Sequence, residues 1–87
     1  MNVVLHNNAS RYYKRLNASD QERIKAALEK LSKEPPEGDI FPISGQKGVF
    51  RVRVGGLRLL YRVDETVIII THIEPRGQVY NKKNKEK

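Results

Sequence analysis

The 87-residue chain contains no cysteine. That excludes a disulfide framework and any thiolate metal site, and it suits a reducing cytosol. No apolar run approaches the ~20 residues of a membrane helix, and the opening MNVVLHNNAS holds too short an apolar run for a signal peptide. Histidine is scarce: His6 and His72 are the two, and neither stands at metal-ligand spacing to a carboxylate. There is no glycine-rich phosphate loop, and Ser10, Ser19, Ser32 and Ser44 lack the context of a nucleophilic triad. The expectation is a soluble cytoplasmic protein of one domain, with no metal and no cofactor.

Acidic residues are also short in supply. There are 10 against 17 lysines and arginines, for a net charge of +7. Residues 1–39 are nearly balanced, with 7 basic and 6 acidic side chains, while residues 40–80 carry 6 and 3 and residues 81–87 carry 4 and 1. The excess therefore sits in the second half and the tail, where it favours phosphate-rich partners.

What is present reads as a small α+β protein. NVVLH, residues 2–6, suits a strand. Asn7 and Asn8 are good caps for a helix over about 9–16, whose apolar side would hold Ala9, Tyr12, Tyr13 and Leu16. SDQE, residues 19–22, is a capping box, with Ser19 as cap and Glu22 reaching back. Ile24, Ala27, Leu28 and Leu31 then recur at helical spacing to about Lys33, and EPPEGD closes the helix. Three strands follow at about 48–54, 57–63 and 67–73, with turns at Gly55-Gly56 and Asp64-Glu65-Thr66. The expected fold is a two-layer β-α-α-β-β-β arrangement. Its antiparallel sheet, with the N-terminal strand added, packs on a two-helix hairpin.

The two-glycine turn fixes the register of the central hairpin, VFRVRVGGLRLLYRV. Phe50, Val52, Val54, Leu57, Leu59, Tyr61 and Val63 share one face, while Arg51, Arg53, Arg58 and Arg62 share the other with Val49 and Leu60. Arg53 falls directly opposite Arg58, where like charges repel, and neither strand supplies an acid between them. One reading is a solvated basic face. The other is a surface for a polyanion, since arginine's planar fork suits bidentate contact with phosphate. VIII, residues 67–70, is apolar on both faces, as in a strand covered on both sides. Ile68 and Ile70 are expected on the arginine face, and His72 shares their parity; if Val63 pairs with Val67, His72 lies opposite Arg58. The helices cover only the other face, so a partner or large ligand would cover this one. Beyond the last strand, EPRGQVY places Arg76 and Tyr80 in a short segment able to return over the open face. Tyr80 reads either as a packing aromatic or as a functional hydroxyl or stacking ring, and His6 reads as structural.

FRVRVGGLRLLYRV, a further strand and then PRGQVY resemble the RelE/ParE superfamily of bacterial toxins, over about residues 2–80, with residues 81–87 a basic tail. In the RelE-like branch the resemblance implies an endoribonuclease, an mRNA interferase acting in the A site of the 70S ribosome and inhibiting translation. Arg51 and Arg53 match the alternating basic pair, Arg58 the arginine after the turn, Arg76 the closing arginine and Tyr80 the C-terminal tyrosine. The resemblance thus marks Arg51, Arg53, Arg58, Arg76 and Tyr80 as catalytic, and Arg51, Arg53, Arg58, Arg62, Lys82 and Lys83 would bind RNA. Pro75 stands where many relatives have histidine, and the spacing from Arg76 to Tyr80 is shorter than in the best-known members. A RelB-like antitoxin is the implied partner, with Leu60, Ile68 and Ile70 expected under it. The alternatives are a ParE-like toxin that poisons DNA gyrase, a non-catalytic RNA-binding module and a toxin remnant.

Overall fold

The computed structural model describes residues 1–75. Its elements run β1 (Asn2–Leu5), α1 (Asn7–Arg15), α2 (Ala18–Leu31), β2 (Ile40–Pro42), β3 (Val49–Val54), β4 (Leu57–Asp64) and β5 (Val67–Pro75). The five strands form one sheet in the order β1-β5-β4-β3-β2. The α+β architecture is as the sequence implies, with two refinements. β1 joins the sheet parallel to β5, making it mixed, and the short β2 adds a strand before the arginine hairpin.

Both helices start slightly earlier than expected. His6, rather than Asn7 or Asn8, caps α1, its Nδ1 accepting from the Asn8 N–H at 3.3 Å. Asn17, rather than Ser19, caps α2, its Oδ1 accepting from the Asp20 N–H at 2.8 Å. Either side chain satisfies one of the orphan donors of a first helical turn. α2 stops at Leu31, one turn before the prolines, with Ser32 as its C-cap.

The core lies between the helices and one sheet face. Ala9, Ile24 and Leu31 meet Val52, Leu57, Leu59, Tyr61, Ile68, Ile70 and Ile73 there, all buried. Phe50 stacks on Tyr61 with ring centroids 5.2 Å apart, and burial raises the Tyr61 phenol above its ordinary pKa, so the ring stays neutral in the core.

The β3–β4 register follows the two-glycine turn through every expected pair, from Val54 opposite Leu57 to Phe50 opposite Tyr61. Gly55 has a φ of 59°, the left-handed conformation that the turn requires. The β4–β5 register corrects the expectation. Asp64 pairs with Val67 and Val63 with Ile68, the turn being Glu65-Thr66 alone. A one-residue change of register moves a strand's side chains to the opposite face. Ile68 and Ile70 accordingly enter the core, each 0% exposed, and Ile69 takes the open face beside Val4 of β1.

Then the strand bulges. Tyr61 opposes Ile70 and Leu60 opposes His72, leaving Thr71 as the extra residue. Its Oγ1 donates to the Leu60 carbonyl oxygen at 3.2 Å. The bulge restores the alternation beyond it: Ile73 is buried, while His72 and Glu74 pair with the open-face residues Leu60 and Arg58. His72 therefore lies opposite Leu60, not opposite Arg58.

Candidate nucleic-acid interface

The face of the sheet turned away from the helices is organised in rows by strand register. One row runs Val4, Ile69, Arg62, Val49. The next runs His72, Leu60, Arg51, Phe41, and a third runs Glu74, Arg58, Arg53. Arg51, Arg53, Arg58 and Arg62 are thus brought to one surface, as the hairpin register requires. Leu60 is half-buried within it. The roles expected for Ile68 and Ile70 at this surface are withdrawn, because both point into the core.

The crowding of Arg53 against Arg58 has a local answer that the hairpin alone does not contain. Arg53 Nε donates to Asp39 Oδ2 at 2.8 Å, the acid lying just before β2. Arg58 donates twice to one oxygen, Glu74 Oε2, from Nε at 3.1 Å and from Nη2 at 2.7 Å. The third row therefore reads acid, arginine, arginine, acid, and each guanidinium is drawn away from the other. The two pairs differ in exposure. Arg53 and Asp39 side chains are 45% and 49% exposed, against 24% and 27% for Arg58 and Glu74. Exposed pairs contribute ~0.2–1 kcal/mol and exchange readily with solvent or ligand, so the Arg58–Glu74 pair is the more persistent.

Phe41 is the second feature that the hairpin does not announce. The guanidinium carbons of Arg51 and Arg53 lie 5.5 and 4.7 Å from its ring centroid, within cation–π range. An aromatic face and two cations thus adjoin, and bases stack on such rings while phosphates pair with such cations. Among the described residues no carboxylate lies within ion-pair distance of Arg51.

Arg51, Arg58, Leu60 and Glu74 line a shallow depression of ≈ 680 Å³ with Ser44 and Gln46 from the β2–β3 loop. It is roomy enough for a nucleotide and combines cations, a carboxylate, hydrogen-bonding groups and an apolar floor. His72 stands at the edge of this region, exposed, its Nδ1 3.1 Å from Thr71 Oγ1. Arg76, Tyr80, Lys82 and Lys83 lie outside the described residues. Asp39, Phe41 and Glu74 are the site residues that sequence reasoning missed. Phe41 and Asp39 belong to a strand and its lead-in that read as loop, and Glu74 reaches Arg58 only through the bulge at Thr71.

Comparison with known proteins places this surface in a family context. Residues 3–80 match the model described as the ParE toxin of type II toxin–antitoxin systems, parDE. The chain is 34% identical over 84 residues to the protein named Putative toxin RelE1 of Methanocaldococcus jannaschii, covering 91% of this chain and 93% of that one. Among solved structures, the archaeal RelE–RelB complex from Pyrococcus horikoshii OT3 aligns at a TM-score of 0.76 and 26% identity, over 88% of this chain and 96% of that one. The isolated RelE toxin of E. coli aligns at a TM-score of 0.74 and 19% identity, over 98% and 96% of the two chains, and shares the fold.

Proposed function

The chain belongs to the ParE toxin family of type II toxin–antitoxin systems, on its RelE-like branch, and from that premise we propose that it is a ribosome-dependent mRNA endonuclease that inhibits translation in the cytoplasm. The observation that carries this reading is the gathering of Arg51, Arg53 and Arg58 on one open sheet face beside Phe41 and a nucleotide-sized depression.

In the proposed reaction a ribose 2′-oxygen attacks the adjacent phosphorus. The new O2′–P bond forms as the P–O5′ bond breaks, giving a 2′,3′-cyclic phosphate and a 5′-hydroxyl. Arg51, Arg53 and Arg58 hold the phosphate and meet its growing negative charge. Arginine stays protonated, so its contribution is electrostatic. Tyr80, as its phenolate, takes the 2′ proton; Arg76 steadies the charge on the departing O5′, which takes its proton from water. Arg62, Lys82 and Lys83 hold the flanking RNA. The ribosome supplies alignment, an effect that reaches ~7–11 kcal/mol for well-oriented reactants.

The proposed partner is a RelB-like antitoxin, by analogy with the complex formed by the Pyrococcus RelE. Seated on the open face, it would cover Leu60 together with Ile69 and Val4 and pair with the arginines, so that inhibition and RNA binding exclude one another.

The test is cleavage of one message at matched enzyme, with and without programmed ribosomes. Cleavage much faster on the ribosome is expected. Equal rates would overturn the ribosome requirement, and intact message with trapped gyrase–DNA complexes would identify a gyrase poison instead. Tyr80→Phe should slow cleavage ~10²–10⁴-fold if its hydroxyl is the base. A Phe variant as fast as wild type would leave Tyr80 only its ring.

A further inference from the structure

We propose that Glu74 is a positioning residue for catalysis: it fixes the Arg58 guanidinium so that its remaining N–H groups face the depression shared with Arg51. The proposal rests on the endonuclease reading of that surface. Its starting point is the geometry of the pair. Both Arg58 Nε and Arg58 Nη2 donate to the same oxygen, Glu74 Oε2, at 3.1 and 2.7 Å. Two donors of one rigid fork on one acceptor fix the direction in which that edge of the guanidinium points, and the covalent link from Nε to the side chain limits its roll. Among the described residues nothing accepts from Nη1 or from the second Nη2 proton, which are left for a ligand.

The burial of the pair distinguishes it from its neighbour. Each side chain of the Arg58–Glu74 pair is about a quarter exposed, whereas Arg53 and Asp39 are nearly half exposed and easily parted. A phosphate can therefore draw Arg53 from Asp39 at little cost, while Arg58 works from a fixed place.

A mobile arginine would have to lose ~2 kcal/mol of rotamer freedom when it engages the transition state. An arginine already held does not, which is the form of preorganisation that favours electrostatic catalysis. Glu74 also opposes the repulsion between Arg53 and Arg58, which pushes the two groups apart in an unspecified direction. The Thr71 bulge is what sets Glu74 on this face opposite Arg58, so the strand irregularity has a consequence at the site.

A carboxylate near a phosphate site also repels the ligand, so the two possible roles of Glu74 predict opposite signs. If Glu74 aims Arg58, Glu74→Ala lowers the single-turnover cleavage rate on saturating ribosomes roughly 10- to 100-fold, the scale of a misplaced catalytic group. Ribosome affinity is then unchanged or tighter, because a negative charge has gone. Glu74→Gln, which keeps an acceptor, falls between. In an Arg58→Ala background Glu74→Ala causes no further loss, since Glu74 acts through Arg58. In the free protein the Arg58 Nε–Hε NMR signal is sharp and slow to exchange, and it broadens in Glu74→Ala. Cleavage by Glu74→Ala at or above the wild-type rate would overturn the proposal and leave Glu74 a competing counter-ion. So would an equal loss with and without Arg58. If wild-type protein fails to cleave at all, the endonuclease reading falls, and the Arg58 signal alone then decides whether Glu74 holds the fork, an unchanged signal in Glu74→Ala counting against it.

Discussion

At the scale of the residue, Arg53 and Arg58 show how local composition can mislead about charge. Considered within the hairpin, they repel without relief, and a bound polyanion is the natural remedy. In the folded chain Asp39 and Glu74 flank them from outside the hairpin. Replacing either arginine with alanine then has two opposed effects on stability. It relieves a like-charge contact worth a few tenths to ~1 kcal/mol, and it gives up an ion pair of about the same size. Arg53→Ala and Arg58→Ala should therefore melt within a few degrees of wild type while abolishing growth inhibition. Melting curves beside toxicity assays decide the matter: a large loss of stability with toxicity retained would make these arginines structural.

At the scale of the element, β5 carries the most information and was the least legible. Its bulge residue, Thr71, stands between two correctly alternating stretches. Deleting Thr71 leaves Ile70 and Ile73 facing the core and should cost within the ~0.5–3 kcal/mol of ordinary substitutions. Deleting Ile69 draws Thr71 into the place of Ile70, and loss of a buried isoleucine costs on the order of 2–5 kcal/mol. Urea denaturation of the two deletions should rank them in that order; the reverse ranking would contradict the register. The β3–β4 hairpin was readable because Gly55-Gly56 fixes both turn and register from two residues. DET could be a two- or three-residue turn. With apolar residues on both faces of VIII, hydrophobicity offered no choice between the registers. The same ambiguity sent Ile68 and Ile70 to the wrong face, and the bulge at Thr71, which periodicity does not announce, hid the pairing of Glu74 with Arg58. The caps failed more mildly: His6 and Asn17 took roles assigned to residues one or two positions on, because several polar residues there can each satisfy a first-turn N–H.

At the scale of the whole molecule, the sheet divides the chain into a helix-covered side that makes the core and an open side that is apolar at the β1–β5 edge and basic toward β3. Val4 is 47% exposed and Ile69 half-buried beside it, while the arginines lie across β3 and β4. A partner that spans both zones buries hydrocarbon at one end and meets cations at the other, which is what an amphipathic antitoxin segment with acidic groups would do. This predicts a clean separation of variants. Val4→Glu and Ile69→Glu place charge on the open face, so the protein should fold and melt cooperatively. Antitoxin affinity should fall at least ~10-fold, the equivalent of about 1.4 kcal/mol, from lost apolar burial and repulsion of acidic groups. Ile70→Glu places the same charge at a position with 0% exposure. An unpaired buried carboxylate is costly enough to prevent a stable fold, so this variant should show no cooperative melt. Calorimetric titration with the antitoxin, beside thermal melts of all three variants, provides the check. Undiminished binding by both open-face variants would mean that the antitoxin seats elsewhere, and a well-folded Ile70→Glu protein would return Ile70 to the surface.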